Sequence, residues 1–82
     1  MEEQKFRELA VEQVKKYCQN VTGITVFETY VVWIVKDLQN NKALLSTNIP
    51  DGRYYEVTHD GDKHELYVDV YKKEHNESVD IL

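Results

Sequence analysis

Three turn signals fall between positions 40 and 61 of this chain: Asn40-Asn41, Pro50-Asp51-Gly52 and Asp60-Gly61. They constrain the fold more than anything else in the sequence. Asn tolerates positive φ, so Asn40-Asn41 suits a two-residue type I′ hairpin turn. Pro50-Asp51-Gly52 suits a type I turn closed by a Gly bulge. Asp60-Gly61 is a strong hairpin signal. The segments between them are rich in β-branched and aromatic residues, which favour strands. Strands are therefore expected over about 29–39, 42–49, 53–59 and 63–73.

Each turn sets a register. Asn40-Asn41 places Leu38 opposite Ala43, Lys36 opposite Leu45 and Ile34 opposite Thr47. The Pro50 turn places Thr47 opposite Tyr55 and Leu45 opposite Val57. Asp60-Gly61 places Val57 opposite His64 and Tyr55 opposite Leu66. One continuous face then carries the apolar set Val32, Ile34, Leu38, Ala43, Leu45, Tyr55, Val57, Leu66, Val68 and Val70. Agreement between independent local choices is evidence of a consistent fold.

Something must cover that face. The stretch from Glu2 to about Gln19 reads as a helix, with Phe6, Ala10, Val14 and Tyr17 on one side and Leu9 and Cys18 flanking. Glu2 and Glu3 at its start and Lys15 and Lys16 near its end suit the helix dipole. Asn20 and Gly23 are candidate terminators. Residues 21–28 read equally as a loop or an opening strand. With 82 residues, one domain is expected. Its fold class is α+β: an N-terminal helix packed on one face of a four-stranded antiparallel meander, followed by a polar tail over 74–82.

The opposite face is left open, because one helix cannot cover both. The registers predict cross-strand rows Trp33–Asn48–Tyr54–Tyr67, Val35–Ser46–Glu56–Glu65 and Asp37–Leu44–Thr58–Lys63, with Asp69 and Tyr71 beyond. Aromatic pairs stabilise a sheet without any function, so an ordinary solvated face is one reading. A protein-binding patch is the other, since Trp and Tyr dominate interface hot spots. On that reading Trp33, Tyr54, Tyr67 and Tyr71 are apolar anchors, and Glu56, Glu65 and Asp69 set the charge. Glu56 opposite Glu65 is unfavourable in isolation, and either a cationic partner or a shifted register relieves it.

Charge bounds the partners. Ten Lys and Arg against fifteen Asp and Glu leave a net charge of −5. Direct nucleic-acid binding needs clustered cations, so none is expected. An acidic protein can instead occupy a basic groove on another protein. The N-terminal stretch is charged and lacks the apolar run of a signal peptide, and no window is apolar enough to cross a membrane. The single cysteine, Cys18, permits no intrachain disulfide. Together these point to a cytoplasmic chain.

No catalytic, cofactor or metal motif emerges. Cys18 beside the helix's apolar face reads as a buried structural thiol. His59, Asp60, Asp62 and His64 cluster in sequence, but lack EF-hand spacing and read as a polar hairpin tip. His64 is expected at the sheet end on the core side, partly exposed. No enzyme and no cofactor are expected.

The segments "VWIVKDLQNNKALLST", "DGRYYEVT" and "GDKHELYVDVYKK" resemble a family of short, uncharacterised proteins encoded by phages and prophages of Gram-positive bacteria. The resemblance covers residues 31–73 well and the helix only loosely. It implies origin, not mechanism. With it, the expected function is that of a small acidic phage accessory protein in the host cytoplasm. It binds a host or phage protein and inhibits a host defence or nucleic-acid-binding protein. The alternative is a structural or homo-oligomeric phage protein with no inhibitory role, a homodimer being the assembly considered.

Overall fold

The computed structural model describes residues 1–82. Helix α1 spans Glu3–Thr22, and four strands follow: β1 (Thr29–Asp37), β2 (Asn40–Thr47), β3 (Arg53–Asp60) and β4 (Glu65–Lys72). The strands form one antiparallel sheet in the order β1-β2-β3-β4. The helix packs across β1, β2 and β3. This is the expected α+β meander, and residues 21–28 supply the end of the helix and a loop rather than a strand.

The helix starts where a carboxylate can satisfy its orphan amides. Glu2 accepts from the Gln4 N–H at 2.7 Å and the Lys5 N–H at 3.3 Å. It ends at Gly23, whose φ of 73° is left-handed and whose N–H donates to the Gln19 carbonyl. Lys15 and Lys16 therefore lie short of the last turn, which holds no basic residue. The Thr22 hydroxyl caps the Cys18 carbonyl there at 2.7 Å. Phe6, Ala10, Val14 and Cys18 form the buried stripe, and Tyr17 and Leu9 are half-buried beside it. They meet Ala43, Leu45, Tyr55 and Val57 of the sheet to complete the core.

All three registers differ from the expected ones, by an even number of residues everywhere except in β1 before Trp33. Ile34 lies opposite Ala43, Leu45 opposite Tyr55, and Tyr55 opposite Val70. The first turn is Leu38-Gln39, with Leu38 in the left-handed region at φ 56°. Asn40 and Asn41 belong to β2 instead. The other two connections are longer than expected, running over 48–52 and 61–64. An even slip keeps every side chain on its own face, so the apolar face survives with two exceptions. Leu38 leaves it for the turn and is 83% exposed. Val32 leaves it because a bulge between Val31 and Trp33 reverses the alternation, so Val31 packs on the core in its place.

Local bonds explain where the turns fall. Asp60 accepts from the Asp62 and Lys63 N–H groups, turning the chain after β3. Asp51 accepts from the Arg53 N–H, and Thr47 from the Ile49 N–H. The first and third turns are tied together: Gln39 Nε2 donates to Asp62 at 2.7 Å, and the Gly61 N–H donates to Asn40 Oδ1 at 3.1 Å. Gly61 is required by that approach, since a Cβ there would lie 2.3 Å from the Gln39 carbonyl oxygen. His64 sits in this turn, exposed and left-handed at φ 54°, not on the core side of the sheet end.

Candidate functional site

The sheet face opposite the helix carries alternate residues of all four strands. Its rows read Tyr30–Ser46, Tyr54–Tyr71, Trp33–Leu44–Glu56–Asp69 and Val35–Lys42–Thr58–Tyr67, ending in Asp37–Asn40 and Asp60–Glu65. Trp33, Tyr54, Tyr67, Tyr71, Glu56, Glu65 and Asp69 therefore share this face, as the alternation predicts. Their neighbours are not the predicted ones. Tyr54 faces Tyr71 rather than Tyr67, Glu56 faces Asp69 rather than Glu65, and Trp33 faces Leu44. Asn48 leaves the face altogether. It exchanges two hydrogen bonds with the Glu28 backbone and ties the loop before β1 to the sheet.

Large apolar area reaches solvent here. Tyr30, Trp33, Val35, Tyr67 and Tyr71 are all exposed, Tyr71 to 52%. Tyr30 and Val35 extend the aromatic patch along β1. The bulge puts Tyr30 on this side, and nothing in the run Tyr30-Val31-Val32-Trp33 announces it, since all four residues suit a strand equally. Tyr54 is half-buried between its neighbours.

The charge of the face is one-signed. Asp37, Glu56, Asp60, Glu65 and Asp69 lie on it against a single cation, Lys42, for a net −4 of the chain's −5. The helix on the other side is balanced: Glu2, Glu3, Glu8 and Glu12 offset Lys5, Arg7, Lys15 and Lys16. Glu56 and Asp69 are direct cross-strand neighbours, a like-charge pair that is unfavourable alone. Lys42 reaches Glu56 at 3.6 Å and leaves Asp69 without a cation. Along β4 the outward residues alternate carboxylate and phenol: Glu65, Tyr67, Asp69, Tyr71. The Tyr67 hydroxyl donates to Glu65. That hydrogen bond, more than desolvation, raises the Tyr67 phenol above its ordinary pKa of 10.0.

The face has relief but no enclosed cleft. A depression of about 460 Å³ lies at the β1–β2 end, lined by Val35, Asp37, Asn40, Lys42 and Thr58 among others. A second, of about 520 Å³, runs along the solvent side of the helix between charge-balanced residues such as Glu8, Glu12, Lys15 and Lys16. Neither gathers groups that would act on a substrate together. The His59-to-His64 cluster does not converge either, because Asp60 is engaged within its own turn and Asp62 by Gln39 of the first turn. Nowhere do three His, Cys, Asp or Glu side chains come together as a metal set. Cys18 is fully buried, its thiol donating to the Tyr55 hydroxyl at 3.1 Å. No helix is long and apolar enough to cross a membrane.

No curated protein and no solved structure matches this chain. A family model does match, over residues 3–81, nearly the whole fold just described. The chain belongs to that family, DUF6275, a family of unknown function.

Proposed function

We propose that this is a non-enzymatic protein-binding module whose partner presents a basic surface to the outer face of the sheet. The observation that supports the reading is the coincidence of exposed aromatic area with most of the net negative charge on the one sheet face that the helix leaves bare. Tyr and Trp bury large area at low entropic cost and keep a polar handle. Arg and Lys of a partner would seat on Asp69 and Glu56, flanked by the rings of Tyr67 and Tyr71, where carboxylate and π-face attract a cation together. Clustered carboxylates also steer such a partner's approach.

Basic surfaces of this kind belong above all to proteins that bind nucleic acid. The sequence resemblance to small phage and prophage proteins supports the finer form of the reading. The chain would act in the host cytoplasm, occupying the nucleic-acid groove of a host defence or transcription protein and inhibiting it. It would not bind nucleic acid itself.

The test compares three immobilised proteins in host lysate: wild type, Trp33→Ala/Tyr71→Ala, and Glu8→Ala/Glu12→Ala on the helix. A partner held by the first and third, lost by the second, eluted by salt and displaced by DNA is the expected result. Equal capture by all three folded proteins would sink the assignment of the face.

A further inference from the structure

The strand order leaves two sheet edges, β1 and β4. Exposed edges invite pairing, and natural sheets blunt them with bulges, prolines or lysines. β1 carries such a device, the bulge between Val31 and Trp33. β4 carries none. Its sequence, Glu65-Leu-Tyr-Val-Asp-Val-Tyr-Lys72, has no proline or glycine and no lysine before its last residue, and its ladder with β3 is unbroken.

The free side of β4 follows from the ladder. Lys73 N–H donates to the Gly52 carbonyl, toward β3. In an antiparallel pair the donors alternate, so the N–H and C=O groups of Leu66, Val68, Val70 and Lys72 point away from β3. The same four residues share the inner face. The helix packs chiefly on β1, β2 and β3, leaving Leu66 and Val68 only half-buried against the core and Val70 36% exposed.

We infer that β4 pairs with β4 of a second copy, antiparallel and centred on Val68, to make one continuous eight-stranded sheet. A two-fold axis normal to the sheet must pass through a residue that meets its own copy. Centring on Asp69 would set two carboxylates face to face. Centring on Val70 would put Val68 against Lys72. Centring on Val68 sets Val68 on Val68 and Leu66 on Val70, an unbroken apolar inner row. Outside, it sets Tyr67 against Asp69 and Glu65 against Tyr71, with no like charges opposed. It is the register in which this strand complements itself. The inference goes beyond the outer-face reading and stands without it. The pairing would also join two acidic, aromatic faces edge to edge.

Sedimentation of wild type and of Val68→Lys and Val68→Glu, separately and mixed, tests this alongside amide hydrogen exchange on wild type. Wild type should be a dimer, with slow exchange at Leu66, Val68, Val70 and Lys72 that speeds up on dilution. Each variant alone should be monomeric, because it opposes two like charges at the axis. The equimolar mixture should dimerise again. A wild-type monomer with fast exchange at those four amides overturns the inference, even if both variants fail to fold. A monomer with slow exchange also overturns it and assigns the edge to the chain's own segment 74–82. A dimer that survives Val68→Lys places the contact on another surface.

Discussion

Tyr55 is the largest fully buried side chain in the protein, and it holds the two layers together. Its hydroxyl accepts from Cys18 across the layers, and its ring meets Tyr17 edge-on at 5.7 Å between centroids. Burial pushes the Tyr55 phenol well above its ordinary pKa of 10.0. The sign follows from linkage. Above pH 10 an unfolded Tyr55 releases its proton while the folded one keeps it, so the folded state loses stability as pH rises. Replacing Tyr55 with Phe should remove that alkaline decline and lower stability at neutral pH by about 1 kcal/mol, since a weak buried donor loses its acceptor. Urea unfolding midpoints on either side of pH 10 would check both. An unchanged alkaline slope would mean that another tyrosine carries it. The alternation of β3 already turns Tyr55 inward. Its partner is not legible, because 37 residues separate Tyr55 from Cys18 and no local pattern pairs them.

At the scale of elements, face is robust and register is not. Reading turns from Asn40-Asn41 and Asp60-Gly61 misplaced both hairpins by an even number of residues. Apolar alternation could not expose the error, because a period of two is blind to a slip of two or four. What decides the register is side-chain bonding around the turns, as with Asp60 capping its own loop and Gln39 reaching Asp62. Two glycine substitutions separate the kinds of constraint. Gly61→Ala meets the Gln39 backbone and should destabilise by about 1–3 kcal/mol, as overpacking does. Gly23→Ala meets nothing but must keep a left-handed φ, and should cost about 1–2 kcal/mol. Melting curves give both losses. Amide-exchange maps should place the first at the linked β1–β2 and β3–β4 turns and the second at the last helical turn. Phe6→Ala removes the largest helix side chain of the core and should cost about 3–5 kcal/mol. That is a large part of the stability of so small a domain, and a chemical-denaturation midpoint near zero would be the sign of it.

The molecule as a whole is a slab 43 × 39 × 19 Å, one helix layer on one sheet layer. Its radius of gyration of 14.4 Å exceeds the roughly 12 Å of a compact chain this long. Residues 74–82 lie outside both layers: all are exposed, and their one side-chain hydrogen bond, His75 to Glu77, stays within the segment. Deleting them should lower the radius of gyration in solution scattering and leave the melting temperature unchanged. A fall in melting temperature would show that the segment docks. Charge acts at this scale too. With net −4 on the outer face, association with a basic partner should slow as salt rises while dissociation changes less, which stopped-flow kinetics would show. Composition and periodicity by themselves determined the fold class, the inward and outward set of almost every strand residue, and the acidic aromatic character of the bare face. Those properties depend on what each side chain is and on its parity along the strand. Which residues face each other, that Tyr30 joins the patch, that Asp69 is left without a cation, and that a bulge interrupts β1 but not β4 were decided only in three dimensions. They depend on contacts between segments distant in sequence, and on a bulge whose extra residue looks like any other in its strand.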